Sequence, residues 1–499
     1  MLRTVCGRLT SDMNPHDIAA APGRKADPAR QTPRARFGPA DHGYDPASMT
    51  ADSDPYRRTL LGRADAAVLS RPAVRWLLAA AAAAVLIVPS VQFVAKIQER
   101  EFSVFRGEKL RSALGRWLAD ARALRDAEDP YGPGHWFPNP PLVLIALVPL
   151  TAMPVPAAGI VWAVAKVAAT VAALAFLVRA YRRPTDVLPL GVIVMALVFS
   201  FRPIMSDLKH GNLNLFVLAA VAVCWALYVR GRDVPAGLFL ALAITIKVTP
   251  ALLLVYFACK RAWRVAAGAA AGLALFVAVL PSLCVGPARC SDLHVRWFNM
   301  LAAPYVLHGY VTTDILNQSL PGVLTRWMSA SGFAMQTMDV DARLAAGMEE
   351  MARPATTAGR WLIRGAGLSV LAALAWLCRT ATADRRDARL MLELALMLLA
   401  MLLLSERTWK HHLVTLPLVY LACWRALACF EWSARATGLL VAGMTLQFLL
   451  LSASAEGLLG ERLADDLHDR GIILVGLLLC FVQTAVMLRR IPVRAGWGR

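Results

Sequence analysis

The sequence predicts an all-α, polytopic integral membrane protein with about 10–12 transmembrane helices, and three observations carry that prediction. Of 499 residues, 58% are hydrophobic and 17% charged, more apolar surface than a soluble chain of this size can hide. Apolar runs of roughly 18 residues or more recur along most of the chain, the length that crosses a bilayer as a helix. Such runs must satisfy their backbone groups within the segment, and the alternation of barrel strands is not seen. Basic residues collect at the ends of the runs, so the formal charge of +19 reads as membrane topology rather than nucleic-acid binding.

Taken in order, residues 1–72 are rich in Pro, Ala, Asp and Arg without an apolar period, and are expected to be a disordered cytoplasmic tail. The apolar run begins only near Trp76, which does not resemble a cleaved leader. Residues 73–490 form the transmembrane domain, 491–499 a cytoplasmic C-terminal tail. The first span, about Arg75 to Ala95, leads to an outside loop, 96–140. Within it Phe102–Leu124 carries Phe105, Leu110, Leu114, Trp117, Leu118 and Leu124, and its charges favour a helix lying on the membrane face over a span. Pro141–Ala152 reaches only about 18 Å as a helix, so it is expected to dip or break before the crossing Pro154–Val178. Val187–Phe201 leads out and Asn212–Val229 returns. Val234–Cys259 is interrupted by Lys247 and Pro250 and begins and ends beside basic clusters, which predicts a hairpin of two half-helices with Lys247 near its tip. After Val265–Val285 comes a long outside loop, 286–358, then spans near 360–378, 390–404, 413–428, 437–453 and 471–488. Both termini fall on the cytoplasmic side. Cys284 and Cys290 share the outside loop, where a disulfide is open.

The polar outside set is short. Glu101 follows the first span by six residues, at a membrane rim that suits a general base; Asp120 is the second candidate. Lys247 lies in an apolar stretch, where a lysine is functional by default and pairs naturally with a lipid phosphate, or else snorkels to the interface. Arg202, Lys209, Arg326 and Lys410 can serve the same anion. His411 and His412 follow Trp409; neighbours on a helix point to different sides, so they do not share one metal. No phosphate-binding GxxxxGK[ST] loop, GxSxG or HExxH occurs, which argues against familiar ATPases, serine hydrolases and zinc proteases.

Several stretches together carry a family resemblance. Trp136-Phe137-Pro138-Asn139-Pro140-Pro141-Leu142, Gly211-Asn212-Leu213-Asn214, the block Arg230–Arg264 with Lys247-Val248-Thr249-Pro250, Asn317-Gln318-Ser319-Leu320 and Trp409-Lys410-His411-His412 resemble, in order and spacing, motifs of the polyprenol-phosphate-mannose-dependent alpha-mannosyltransferases, polytopic glycosyltransferases of the GT-C class. The resemblance covers roughly residues 73–490. It implies a GT-C-like fold in a bacterial inner membrane, a periplasm-facing site and a polyprenyl-phosphate sugar donor, with mannose the expected sugar. The acceptor would be a glycolipid or glycan hydroxyl, and transfer would be inverting with a loop carboxylate as base. No cofactor is implied and no metal site, a divalent cation being left open; no nucleic acid is expected as partner. The family's base sits in a pattern like Asp-x-x-Val-Tyr; Glu101-Phe102-Ser103-Val104-Phe105 carries Glu for Asp and Phe for Tyr, and Asp120 stays open beside it. Lys247, Arg326 and Lys410 would hold the donor phosphate. Asn212, Asn214, Asn317, Gln318, Trp409, His411 and His412 would orient sugar or lipid groups, Asn212 standing where the family has Gln. The rival readings are a transporter or flippase of lipid-linked sugars, which needs no base, and an O-antigen ligase or polymerase-like enzyme, which moves whole glycans.

Overall fold

The computed structural model describes residues 63, 67, 71–100, 112–132, 135, 137–181, 188–338, 350–380, 384–452, 454 and 456–491. Of the sequence expectations, the N-terminal tail up to residue 62, Glu101, Trp136 and the C-terminal tail from residue 492 lie outside them.

Among the described residues, eight helices are long and apolar enough to cross a membrane. They are α1 (Pro72–Arg100), α4 (Val155–Ala180), α5 (Leu190–His210), α9 (Trp263–Val285), α12 (Thr357–Leu377), α14 (Lys410–Cys429, opening with a 3-10 turn), α15 (Ala434–Ser452) and α17 (Ile472–Arg490). Two shorter helices, α6 (Asn214–Val229) and α13 (Ala388–Leu403), complete ten helices that join one face of the bundle to the other. Those two are almost wholly buried, which is why their apolar character is continuous rather than one-sided.

Hydrogen bonds identify the two faces. On the basic face Arg385 donates to the Tyr228 carbonyl and pairs with Asp233, Arg386 reaches the Ala180 carbonyl, and Lys260 binds the Thr380 carbonyl and Glu393. With Arg389 also bound to the Leu488 carbonyl, the ends of α4, α6, α12 and α17 and the start of α13 lie together. The opposite face holds the α5–α6 turn, the end of α13 and the start of α14.

The interrupted stretch folds as the expected hairpin. α7 (Asp233–Ile246) stops where Lys247 turns extended (φ −153°, ψ 129°); Pro250 disfavours helix at the residue before it; α8 (Ala251–Cys259) then runs back. Asp233 and Lys260, at the two feet, both bind the 380–393 segment. α9 leaves the same face alongside α7: Gly237 and Gly268 let the backbones meet so closely that a Cβ on Gly237 would sit 2.2 Å from the Val265 carbonyl oxygen.

The region after the first span differs from a helix lying in the interface. α2 (Ala113–Arg125), capped by Ser112, buries Leu114, Trp117, Leu118, Ala121 and Leu124 against Phe93, Ile97, Phe137 and Leu144. Its apolar stripe covers the broken helix α3 (Pro141–Leu147) and the 3-10 turn Val148–Ala152 instead of lipid. The long loop contains α10 (Pro287–Trp297), α11 (Leu320–Ala330) and a three-stranded antiparallel sheet in the order β1 (Val311–Thr312), β3 (Met351–Pro354), β2 (Met335–Thr337). A short helix, α16 (Glu461–Asp469), follows α15. The disulfide left open by the sequence is not formed: Cys284 and Cys290 are free thiols, one exposed and the other buried. The Cys290 thiol points back to carbonyls of α9.

Candidate functional site

The site forms where the α5–α6 turn meets the tip of the α7–α8 hairpin. Gly211 closes the turn at φ +67°, and the Phe93 ring lies where a side chain would stand, 2.1 Å from an ideal Cβ. The end of α1 is thus seated on this turn. Trp162 donates its indole N–H to the Gly211 carbonyl at 2.9 Å.

A chain of polar contacts runs from α4 to the hairpin tip through the apolar interior. Lys166 Nζ lies 2.7 Å from Asp207 Oδ2 and donates to the Asp207 carbonyl at 2.9 Å. Asp207 Oδ1 accepts from the Asn214 amide at 3.2 Å and from Asn214 Nδ2 at 3.0 Å. Asn214 Oδ1, left as an acceptor, takes a hydrogen bond from Lys247 Nζ at 3.0 Å. Lys166 and Asp207 are 1% and 0% exposed. The amide orientation follows from its partners, a carboxylate on one side and an ammonium on the other. Asn214, Lys247, Thr249, Arg407, Thr408 and His412 line a small pocket here.

The Trp409–His412 segment closes the pocket. His412 Nδ1 lies 3.3 Å from the Trp409 amide and 3.1 Å from the Arg407 carbonyl. The His411 ring stacks on His210 of α5, centroids 5.3 Å apart. The two histidine rings also pack edge to face on each other, centroids 4.6 Å apart, rather than pointing to different sides. His411 Nε2 and the Trp409 indole nitrogen are buried with no hydrogen-bond partner among the described residues, and buried polar atoms of that kind are costly unless a ligand or water meets them. Lys410 turns away to the Ser454 carbonyl at 2.6 Å.

Three of the expected ligand contacts hydrogen-bond within the protein. Arg326 directs its two terminal guanidinium nitrogens to the carbonyls of Asp314, Asn317 and His468, and its Nε lies 3.5 Å from Asp469. Asn317 binds the Thr312 and Glu406 carbonyls and the Thr408 amide. Gln318 binds the Ile315 and His468 carbonyls and the Ile473 amide. These residues sew the outer loop to α14 and α17. Asn212 caps its own turn through the Leu213 amide at 2.7 Å, while Asn214, two residues on, faces the pocket.

On the first loop, Asp120 is 4% exposed and its Oδ1 lies 3.0 Å from His135 Nδ1. Burial pushes the Asp120 carboxyl up, and His135 partly offsets this. The same hydrogen bond raises the His135 imidazole above its ordinary value. Asp120 thus has its accessible side taken by an imidazole, and His135 is the more exposed member. Sequence reasoning missed Lys166, Asp207, His210 and His135. Lys166 and Asp207 carried a usable signal, since charges inside apolar segments are functional by default; His135 carried none. Among the described residues, no group of three His, Cys, Asp or Glu side chains could hold a metal ion.

A polar pocket with the half-buried Lys247 in its wall, set among helices of which eight, among the described residues, are long and apolar enough to cross a membrane, defines a multi-pass membrane protein. Residues 136–405, more than half of the chain, match the family model of Glycosyltransferase family 87. The chain belongs to that family and is a membrane glycosyltransferase. Neither the curated proteins nor the solved structures give a match.

Proposed function

We propose that the protein transfers a hexose, mannose by the resemblance, from a polyprenyl-phosphate donor to a hydroxyl of a glycolipid or glycan on the periplasmic side of a bacterial inner membrane. One observation carries this reading. An apolar cavity of about 470 Å³ lies between α3, α4, α6 and α7, lined by Leu142, Trp162, Phe216, Phe239, Ile246 and other apolar side chains. Its wall includes Leu213 and Ile246, the residues immediately before Asn214 and Lys247. A hydrocarbon tail in that cavity would bring an anionic head to the lysine, the fit expected of a lipid phosphate.

In this reading the acceptor oxygen attacks the anomeric carbon on the face opposite the phosphate. A loop carboxylate, Glu101 or Asp120, takes the hydroxyl proton. The bond from the anomeric carbon to the phosphate oxygen breaks, and the electron pair leaves with the lipid phosphate. Lys247 stabilises the charge that develops there, and preorganised cations of this kind contribute several kcal/mol, about 3–4 per donor. Asn214 orients Lys247. His411 Nε2 and the Trp409 N–H are the unpartnered groups that would meet sugar or phosphate oxygens.

The test uses purified protein in nanodiscs with radiolabelled polyprenyl-phosphate-mannose and a membrane lipid extract. Label should move to a new lipid, Lys247→Met should lower transfer by roughly 100-fold or more, and Ala220→Trp, which fills the cavity without touching the lysine, should raise KM. Glu101→Gln against Asp120→Asn names the base. Folded protein that releases no sugar from any polyprenyl donor would overturn the reading and favour the flippase; transfer of oligosaccharides only would favour the ligase.

A further inference from the structure

An aromatic and basic cluster stands on the basic face, away from the pocket. Trp376, near the end of α12, is 48% exposed. The guanidinium of Arg489, from α17, lies 4.2 Å from its ring centre, and that of Arg379 lies 5.8 Å away. Both arginines are exposed, and neither has a carboxylate partner among the described residues. Two like charges gathered on one ring repel each other, so the fold must hold them there.

Arg389 does so. It is 6% exposed and donates to the carbonyls of Leu488 at 2.9 Å and Ile491 at 2.5 Å, while its other nitrogen reaches Thr380 Oγ1 at 3.4 Å. Thr380 and Leu488 are the chain neighbours of Arg379 and Arg489. Lys260 adds a hydrogen bond to the Thr380 carbonyl at 2.6 Å. One buried post therefore fixes the backbone beneath both exposed guanidiniums. A tryptophan at a helix end sits at the headgroup level of a bilayer, and guanidiniums are the side chains best matched to phosphate oxygens.

We propose that Arg379, Trp376 and Arg489 form a headgroup site for an anionic phospholipid of the leaflet at the basic face, with Arg389 as the residue that positions it. The lipid phosphate would sit between the guanidiniums and relieve their repulsion, and the glycerol backbone would lie on the indole. This site is independent of the sugar-transfer reading, because it lies on the face opposite the pocket.

The experiment is thermal unfolding in phosphatidylcholine nanodiscs doped stepwise with phosphatidylglycerol. Wild type should gain stability and saturate. Arg379→Ala/Arg489→Ala should need at least roughly tenfold more phosphatidylglycerol for the same gain, from about 1 kcal/mol per basic residue near an anionic surface. Arg232→Ala/Arg264→Ala removes two other exposed basic charges and should titrate like wild type. Arg379→Glu should abolish the gain. Equal titration of wild type and Arg379→Ala/Arg489→Ala overturns the site. An equal loss in Arg232→Ala/Arg264→Ala overturns it too, since net charge alone would then explain the effect.

Discussion

The ion pair between Lys166 and Asp207 offers the sharpest test of how the pocket is held. Both side chains are buried, their charged atoms are 2.7 Å apart, and Asp207 also carries two hydrogen bonds from Asn214. Removing one partner of such a pair leaves an uncompensated buried charge, which costs about 3–5 kcal/mol. Lys166→Met should therefore destabilise by about that much, and so should Asp207→Asn. The double variant leaves no charge, and its new amide oxygen can still accept from Asn214. The Lys166 bond to the Asp207 carbonyl is lost, about 1 kcal/mol, and the new amide N–H group facing the methionine lacks an acceptor, about 1–3 kcal/mol. The cost of the double variant should thus be roughly 2–4 kcal/mol, below the sum of the singles, a coupling that a double-mutant cycle reads directly. Unfolding by SDS titration in dodecylmaltoside measures it. Transfer activity should follow the same order, because the double variant keeps the support of Asn214 beneath Lys247. Single variants that each cost less than about 1 kcal/mol, or a double variant whose cost is the sum of the two, would refute the reasoning.

Other expectations follow from single contacts. Gly237→Ala would drive a methyl into the Val265 carbonyl and should cost about 1–3 kcal/mol by separating α7 from α9; an unchanged unfolding midpoint would contradict the packing. Gly211→Ala is strained both by φ +67° and by the Phe93 ring, so it should unseat α1 and destabilise by more than the 1 kcal/mol or so that a glycine replacement gains at an unstrained position. The His135 imidazole is raised chiefly by its hydrogen bond to Asp120, so Asp120→Asn should lower its titration midpoint, as read by histidine NMR in nanodiscs. The sign for stability is that of a raised base: the contribution is complete below the imidazole's unfolded value and is lost as pH rises through the folded one. The stability gap between wild type and Asp120→Asn should shrink over that window; a gap that widens with pH would contradict the pairing.

The amino-acid sequence by itself determined the membrane class, the order of the crossings and the interrupted hairpin, because apolar length, flanking charge and proline act locally. Lys247 and Asn214 were legible for the same reason: a charge in an apolar run and an amide in a short motif announce themselves without a fold. What the tertiary structure decided is which polar groups meet. Asn317 and Gln318 read as ligand contacts in a motif and Arg326 as a phosphate-binding cation, yet each also reaches a carbonyl some 90 to 150 residues away in the chain, that of Glu406 or His468. The apolar stripe of α2 reads equally well as a membrane-surface helix, and only the position of α3 beneath it gives that stripe a protein partner. Lys166 and Asp207 stand 41 residues apart on separate helices, and no local rule pairs them. Packing does, because a charge taken into an apolar bundle is tolerated only where the fold delivers its counter-charge.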